Sequence, residues 1–354
     1  MKPKQVELYS CEGLPVFQNR MYHSQVAASA CRTGNVRLVH DLGTGLISNH
    51  AFDPAMLVYD ADYQNEQAHS RAFQTHLDSI LSLIGGHFAN HTLIEVGCGK
   101  GLFLEKLQQQ GYTVTGIDPT YEGSNPAILR QYFSPQTGIQ ADGIVLRHVL
   151  EHIQHPYDFL CLLRDANGGR GKVYIEVPCF DWICARCSWF DIFYEHVNYF
   201  RLEDFHRLFG HIHHAAHSFN GQYLSIIADL ASLRPPVYQG GRADFPANFT
   251  DSVRTHSQRL AAFPERRRII WGGASKGVIF AIFMARVGTP VDAVIDVNPA
   301  KQGKFIGVTG LRVSSPDEII GDLPDGAEMI VMNSNYLDEI RQLTENRFTY
   351  HPAD

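Results

Sequence analysis

Apolar positions fall into two alternating patterns along most of the chain. From about residue 76, the runs "TLIEVG", "YTVTGID", "DGIVLRHV" and "GKVYIEVP" are short and nearly all apolar. Between and around them, "AFQTHLDSILSLI", "GLFLEKLQQQG" and "YDFLCLLRDA" space their apolar residues three or four apart. The first pattern predicts strands buried on both faces and the second predicts amphipathic helices. Their alternation predicts a parallel sheet covered by helices. Residues 231–249, "ASLRPPVYQGGRADFPANF", interrupt the pattern with Pro and Gly and read as a linker. Beyond them "RIIWGG", "SKGVIFAIFMARVG", "VDAVIDVN", "EMIVMN" and "LDEIRQLTEN" repeat the alternation, which predicts a second doubly wound α/β unit. Residues 1–75 mix short apolar stretches with turn signals and predict a small appendage with little regular structure. The expected organisation is 1–75, 76–235 and 236–354.

The most informative stretch is "IEVGCGKGLFLEKL", residues 94–107. A strand ends in Glu95, glycines follow at 97, 99 and 101, and a helix starts at once, which is the layout of a nucleotide-binding turn. The dinucleotide fingerprint needs a third glycine where this chain has Leu102. A carboxylate at Glu95 would repel a pyrophosphate but suits a ligand with an ammonium group and no phosphate, such as S-adenosylmethionine. Asp118, closing the next strand in "TVTGIDP", can accept hydrogen bonds from both ribose hydroxyls. Gly97, Gly99, Gly101, Glu95 and Asp118 are therefore expected to bind S-adenosylmethionine. Arg147 and His148, at the end of the strand in "LRHV", are expected to line the same pocket.

Composition narrows the partners. The chain has 354 residues, 44% hydrophobic, with a formal net charge of −7, and carries no basic footprint for nucleic acid. No run approaches a membrane span and the first residues lack the apolar core of a signal peptide, so a cytoplasmic, membrane-free enzyme is expected. Seven irregularly spaced cysteines read as reduced thiols. "CARC", Cys184 to Cys187, has no second pair to complete a zinc site. "HRLFGHIHHAAH" reads as a helix end followed by a solvated connection, and no metal ligand set is expected.

Moving a methyl group from a sulfonium to carbon requires a base beside a carbonyl and in-line attack by the enolate. "DIFYEHVNYF" places Tyr194, Glu195 and His196 on the loop side of the strand "KVYIEVP". His196 is the expected base, Glu195 its orienting or pKa-raising partner, and Tyr194 an acid, base or enolate partner. The second glycine loop, "GGASKG", reads G-x-A-x-x-G and is followed by Asp296 in "AVIDVNP". Lys276 with Ser275 at the helix start could hold a diphosphate. A two-domain NAD-dependent oxidoreductase stays open as an alternative, as does a non-catalytic scaffold.

With "EVGCGKG", "GIDP" and "LRHVLEHI" in order, the central zone resembles class I S-adenosylmethionine-dependent methyltransferases. The whole chain resembles the three-part sugar C-methyltransferases, which methylate C3 of nucleotide-linked ketohexoses. The matching stretches are "GLISNHAFDPAMLVYDADYQNEQAHS", "FDIFYEHVNYF", "WGGASKGVIF" and "IDVNPAKQGKFIGVTG". The resemblance implies catalytic roles for Glu195 and His196, contributions from His152 and Tyr63, and a third zone that helps to hold a nucleotide-linked small-molecule acceptor. Two departures stand out. The family's tyrosine two positions before the glutamate is Phe193 here. The family's second zinc-binding cysteine pair is replaced by Asp41 and Thr44, so no zinc is expected in the first zone. An O- or N-methyltransferase, which needs only positioning and one base, is the rival reading.

Overall fold

A computed structural model describes residues 5–57, 63, 69–88, 92–262 and 265–354. The central zone is a seven-stranded sheet. Its order is Ile212–Ser218, Tyr223–Asp229, Lys172–Pro178, Gly143–Arg147, Thr92–Val96, Thr113–Ile117 and Ile128–Leu129. The strands from Lys172–Pro178 onward are mutually parallel, whereas Tyr223–Asp229 runs antiparallel to Lys172–Pro178 and to its other neighbour. The helix Arg71–His87 packs on this sheet through Phe73, Leu77, Ile80 and Ile84, spaced as an apolar stripe requires. It begins five residues ahead of the expected boundary at 76.

The third zone is a five-stranded parallel sheet, ordered Val313–Ser314, Ala293–Ile295, Ile269–Trp271, Glu328–Val331 and Thr349–Pro352. Two doubly wound units are therefore present, and each begins with a strand that turns through glycines into a helix: Leu102–Gln109 in one, Lys276–Arg286 in the other. Among the described residues, no helix is long and apolar enough to cross a membrane.

The first zone is more regular than its sequence suggests. Gln5–Pro15 and Thr33–Asp41 form a long antiparallel pair, extended by Ile47–Asn49 and then by Asn198–Tyr199 from the central zone. Register shifts between Glu7 and Tyr9 and between Cys11 and Leu14 break the period-two pattern by which a strand is recognised. The histidine-rich stretch is also a strand, Ile212–Ser218, rather than an irregular connection. It lies at the sheet edge, half-buried along its length, so its apolar signal is weak. The linker does connect the two α/β units, but it is stitched to the first zone: the Tyr238 amide donates to Gly43 O at 2.8 Å and the Ala243 amide to His40 Nδ1 at 3.0 Å.

One apolar cluster joins all three zones. Leu14, Met21 and Leu38 from the first zone meet Phe180, Trp189 and Phe190 from the central zone and Val278, Phe280 and Ile282 from the third. Trp189 is fully buried, stacks on Phe280 with centroids 5.6 Å apart, and donates its indole N–H to Ser252 Oγ at 2.8 Å. Met21–Tyr22 also pairs antiparallel with Phe305–Ile306, a direct backbone link between the first and third zones. Trp189→Ala is expected to cost about 3–5 kcal/mol, as large-to-small changes of buried aromatics do. Chemical denaturation checks this, and a loss below about 1 kcal/mol would mean that the cluster does not hold the zones together.

Candidate active site

A cavity of about 330 Å³ lies between the carboxyl ends of the parallel strands of the two sheets. One wall carries Glu95, Gly97 and Gly99 from the first glycine loop, and the facing wall carries Gly272, Ser275 and Asp296 from the second. This is where ligands of doubly wound sheets bind. The close turn explains the glycines: Gly97 has φ 73°, and a Cβ there would sit 2.4 Å from Val149 Cγ2.

Glu95, next to last in its strand, has its side chain in the cavity wall and is 2% exposed. Burial pushes its carboxyl up to about 8, and Arg147 offsets this only in part. Among the described residues, Oε2 has no hydrogen-bond partner. A buried acid with an open acceptor atom fits a ligand ammonium. Asp118 is placed differently from the expectation. Its Oδ2 accepts from the Gly99 amide at 2.8 Å and its Oδ1 from the Thr120 amide and hydroxyl at 2.8 and 2.7 Å, and it does not line the cavity. In this structure Asp118 shapes the glycine loop. Asp296 does the same in the third zone, accepting from the Gly273 amide at 2.9 Å and pairing with Lys301 at 3.1 Å.

Arg147 and His148 line the cavity as expected, and both are anchored on Glu176, which the sequence reading missed. This fully buried carboxylate meets Arg147 Nη2 at 3.0 Å, His148 Nε2 at 3.1 Å, His76 Nε2 at 2.9 Å and the Tyr174 hydroxyl at 3.1 Å. Burial opposes its ionisation, but Arg147, His148 and His76 outweigh that and hold it well below the usual carboxylate range. Burial likewise disfavours a charged His148, yet Glu151 and Glu176 push it up to about 9. The signal for Glu176 was a lone acid inside the apolar strand "KVYIEVP".

Glu151, His152 and His196 come together at the cavity, with one donor atom from each lying within 4.8 Å of the others. His196 is 7% exposed, its Nε2 3.2 Å from the side-chain Nε2 of Gln18 and its ring edge-on to His152 at 4.9 Å. Glu195 neither orients His196 nor raises its pKa. Its carboxylate accepts from the Gln18 amide at 2.7 Å and the Tyr63 hydroxyl at 3.0 Å, while burial, with His152 and His148 nearby, drives His196 well below its ordinary value. Tyr63 does reach the cavity and also accepts from Asn19 Nδ2 at 3.2 Å.

Two expected residues are engaged elsewhere. The Tyr194 hydroxyl accepts from the Asp53 amide at 2.9 Å and packs on Met56, outside the cavity, because the chain bends at Tyr194 and Glu195. Lys276 lines the cavity, but its ammonium is paired with Asp191 at 2.9 Å and lies 4.8 Å from the Trp182 ring centroid. Its charge is already matched. Ser275 donates to Asn19 Oδ1 at 2.7 Å, which ties the second loop to the first zone.

Residues 62–212 match a family model described as a methyltransferase domain. A ubiquinone biosynthesis O-methyltransferase of Yersinia pestis is 35% identical over 85 residues, 23% of this chain and 33% of that protein. The matched stretch thus spans about a third of the length of this relative. Among solved structures, a Burkholderia thailandensis 1,6-didemethyltoxoflavin-N1-methyltransferase with bound S-adenosylhomocysteine has 12% identity and a TM-score of 0.34, covering 54% of this chain and 97% of that one. An Aquifex aeolicus SAM-dependent methyltransferase has 15% identity and a TM-score of 0.34, covering 46% and 95%. At such scores the fold assignment rests on the strand order described above.

The first glycine loop fits the cofactor of such a domain: close-approach glycines for the nucleoside and a buried, partnerless carboxylate oxygen for the amino group. Because Glu95 is protonated below about 8 and only its ionised form pairs with an ammonium, S-adenosylhomocysteine should bind more tightly as pH rises from 6 to 8. Glu95→Gln should flatten that rise, as calorimetric titration at several pH values can show, and an unchanged slope would remove Glu95 from cofactor binding. Strand order, loop geometry and the family match together make residues 62–212 a class I S-adenosylmethionine-dependent methyltransferase domain.

Proposed function

We propose that the chain transfers the methyl group of S-adenosylmethionine to a nucleotide-linked sugar held between its two doubly wound units. The single cavity lined by both glycine loops carries this reading. The cofactor lies at the first loop and the nucleotide end of the acceptor lies toward the second, where the helix Lys276–Arg286 opens on the cavity. With Lys276 already paired, backbone amides rather than that ammonium meet the phosphates. The reacting end of the acceptor then faces Glu151, His152 and His196.

Methyl transfer is an in-line displacement: a bond forms from the acceptor atom to the methyl carbon, the carbon–sulfur bond breaks and its electron pair returns to sulfur, leaving S-adenosylhomocysteine. For a ketosugar, a base at the cluster first takes the proton beside the carbonyl, and the enolate carbon attacks. A neutral His196 has the lone pair this needs. Tyr63, held by Glu195 and Asn19, presents the hydroxyl nearest in kind to the tyrosine that Phe193 replaces. Phe193 itself favours a second reading, in which the acceptor atom is an oxygen and the enolate partner is not required.

His196→Asn is expected to abolish turnover while leaving S-adenosylhomocysteine affinity unchanged, since His196 belongs to the cluster that faces the acceptor and not to the first glycine loop. The test incubates each protein with S-adenosylmethionine and nucleotide-linked keto- and hydroxysugars and reads the methylated product by mass spectrometry. Full activity in His196→Asn would move the chemistry elsewhere.

A further inference from the structure

We propose that Glu151, His152 and His196 bind a divalent transition-metal ion of the zinc type, which takes an oxygen of the acceptor as its next ligand. The donor set is two imidazoles and one carboxylate, with one donor atom from each within 4.8 Å of the others. That set suits zinc in sites that leave a coordination position for water or substrate. All three side chains line the cavity, so the open position faces the acceptor.

Three features of the surroundings support the site. Glu151 is 1% exposed; its Oε1 lies 3.4 Å from the His148 ring, and among the described residues Oε2 has no partner at all. His148 already faces Oε1, so the acceptor open to a cation is the buried Oε2. His152 has its Nδ1 3.1 Å from the Glu195 carbonyl oxygen, and a hydrogen bond donated there leaves Nε2 as a lone pair, the usual support for a ligating imidazole. His196 is 7% exposed, lines the same cavity and stands edge-on to His152 with ring centroids 4.9 Å apart. The ligands come from two loops 44 residues apart, which is why no spacing motif announces them.

The inference rests on the reading that the acceptor's reacting end meets this cluster, and it selects oxygen over carbon. With both imidazoles engaged as ligands, coordination itself acidifies an acceptor hydroxyl. Its proton passes to water, the oxygen attacks the methyl carbon, and the carbon–sulfur electron pair returns to sulfur.

The experiment counts metal rather than turnover. The surface group His211, His213 and Asp229 could also bind an ion, so His211→Ala/His213→Ala serves as the background. Metal-stripped protein of that background is titrated with zinc and with cobalt, and bound metal is read by mass spectrometry and by visible cobalt absorption. One equivalent is expected. Losing a supporting contact at a metal site costs about 10–100-fold in affinity, so Glu151→Gln and His196→Asn should each lose more than that. S-adenosylhomocysteine titration of each variant shows that it is folded, and it tests the methyltransferase reading separately. Failure of the background protein to take up metal, or full retention by both folded variants, would overturn the ion while leaving methyl transfer standing.

Discussion

The site exists because one buried segment fixes the two α/β units face to face. Residues 179–200 leave the central sheet at its carboxyl end and thread Phe180, Trp189 and Phe190 into the core shared with the first and third zones. They return to pair Asn198–Tyr199 with the first-zone sheet. Glu195 and His196 lie on this same segment, so the chemistry is placed by the residues that lock the domains. On the far side, Glu339 of the third zone accepts from the Ser70 hydroxyl and the Arg71 and Ala72 amides, capping the helix Arg71–His87. Held from both ends, the two carboxyl edges enclose a single cavity instead of two separate clefts.

Within that frame, buried charge does the local positioning. Glu176 gathers Arg147, His148 and His76 behind the cofactor loop, an arrangement in which each partner is costly to bury alone. Among the described residues, Glu95 keeps an oxygen with no hydrogen-bond partner, and so does Glu151 at Oε2, although His148 lies beside its Oε1. The matched charges are scaffold, and the unmatched ones point to where ligands belong. Lys276 illustrates the converse: a cation at a helix start beside a glycine loop invites a phosphate, but Asp191 already satisfies it.

Much of the architecture is legible in the sequence where local pattern and tertiary role agree. Buried parallel strands read as apolar runs, and "EVGCGKG" declares its turn through glycines that have to adopt positive φ. Legibility fails where one pattern is broken or where partners are distant. Bulges hide the first-zone strands, and the edge strand Ile212–Ser218 carries too many half-exposed histidines to read as a strand. The cluster at His196 depends on Gln18 and Tyr63, far away in sequence, and a bend at Tyr194 and Glu195 leaves Tyr194 on Asp53 while His196 lines the cavity. Two adjacent residues such as Glu195 and His196 invite a pairing, but the Glu195 carboxylate is taken by the Gln18 backbone amide and the Tyr63 hydroxyl.

The central claim is that the two glycine loops serve two different ligands in one cavity. Calorimetric titration of a nucleoside diphosphate into protein saturated with S-adenosylhomocysteine tests it most directly. The account predicts that the nucleoside diphosphate binds without displacing the sulfur nucleoside. Competition between the two, or binding of NAD in place of both, would contradict it.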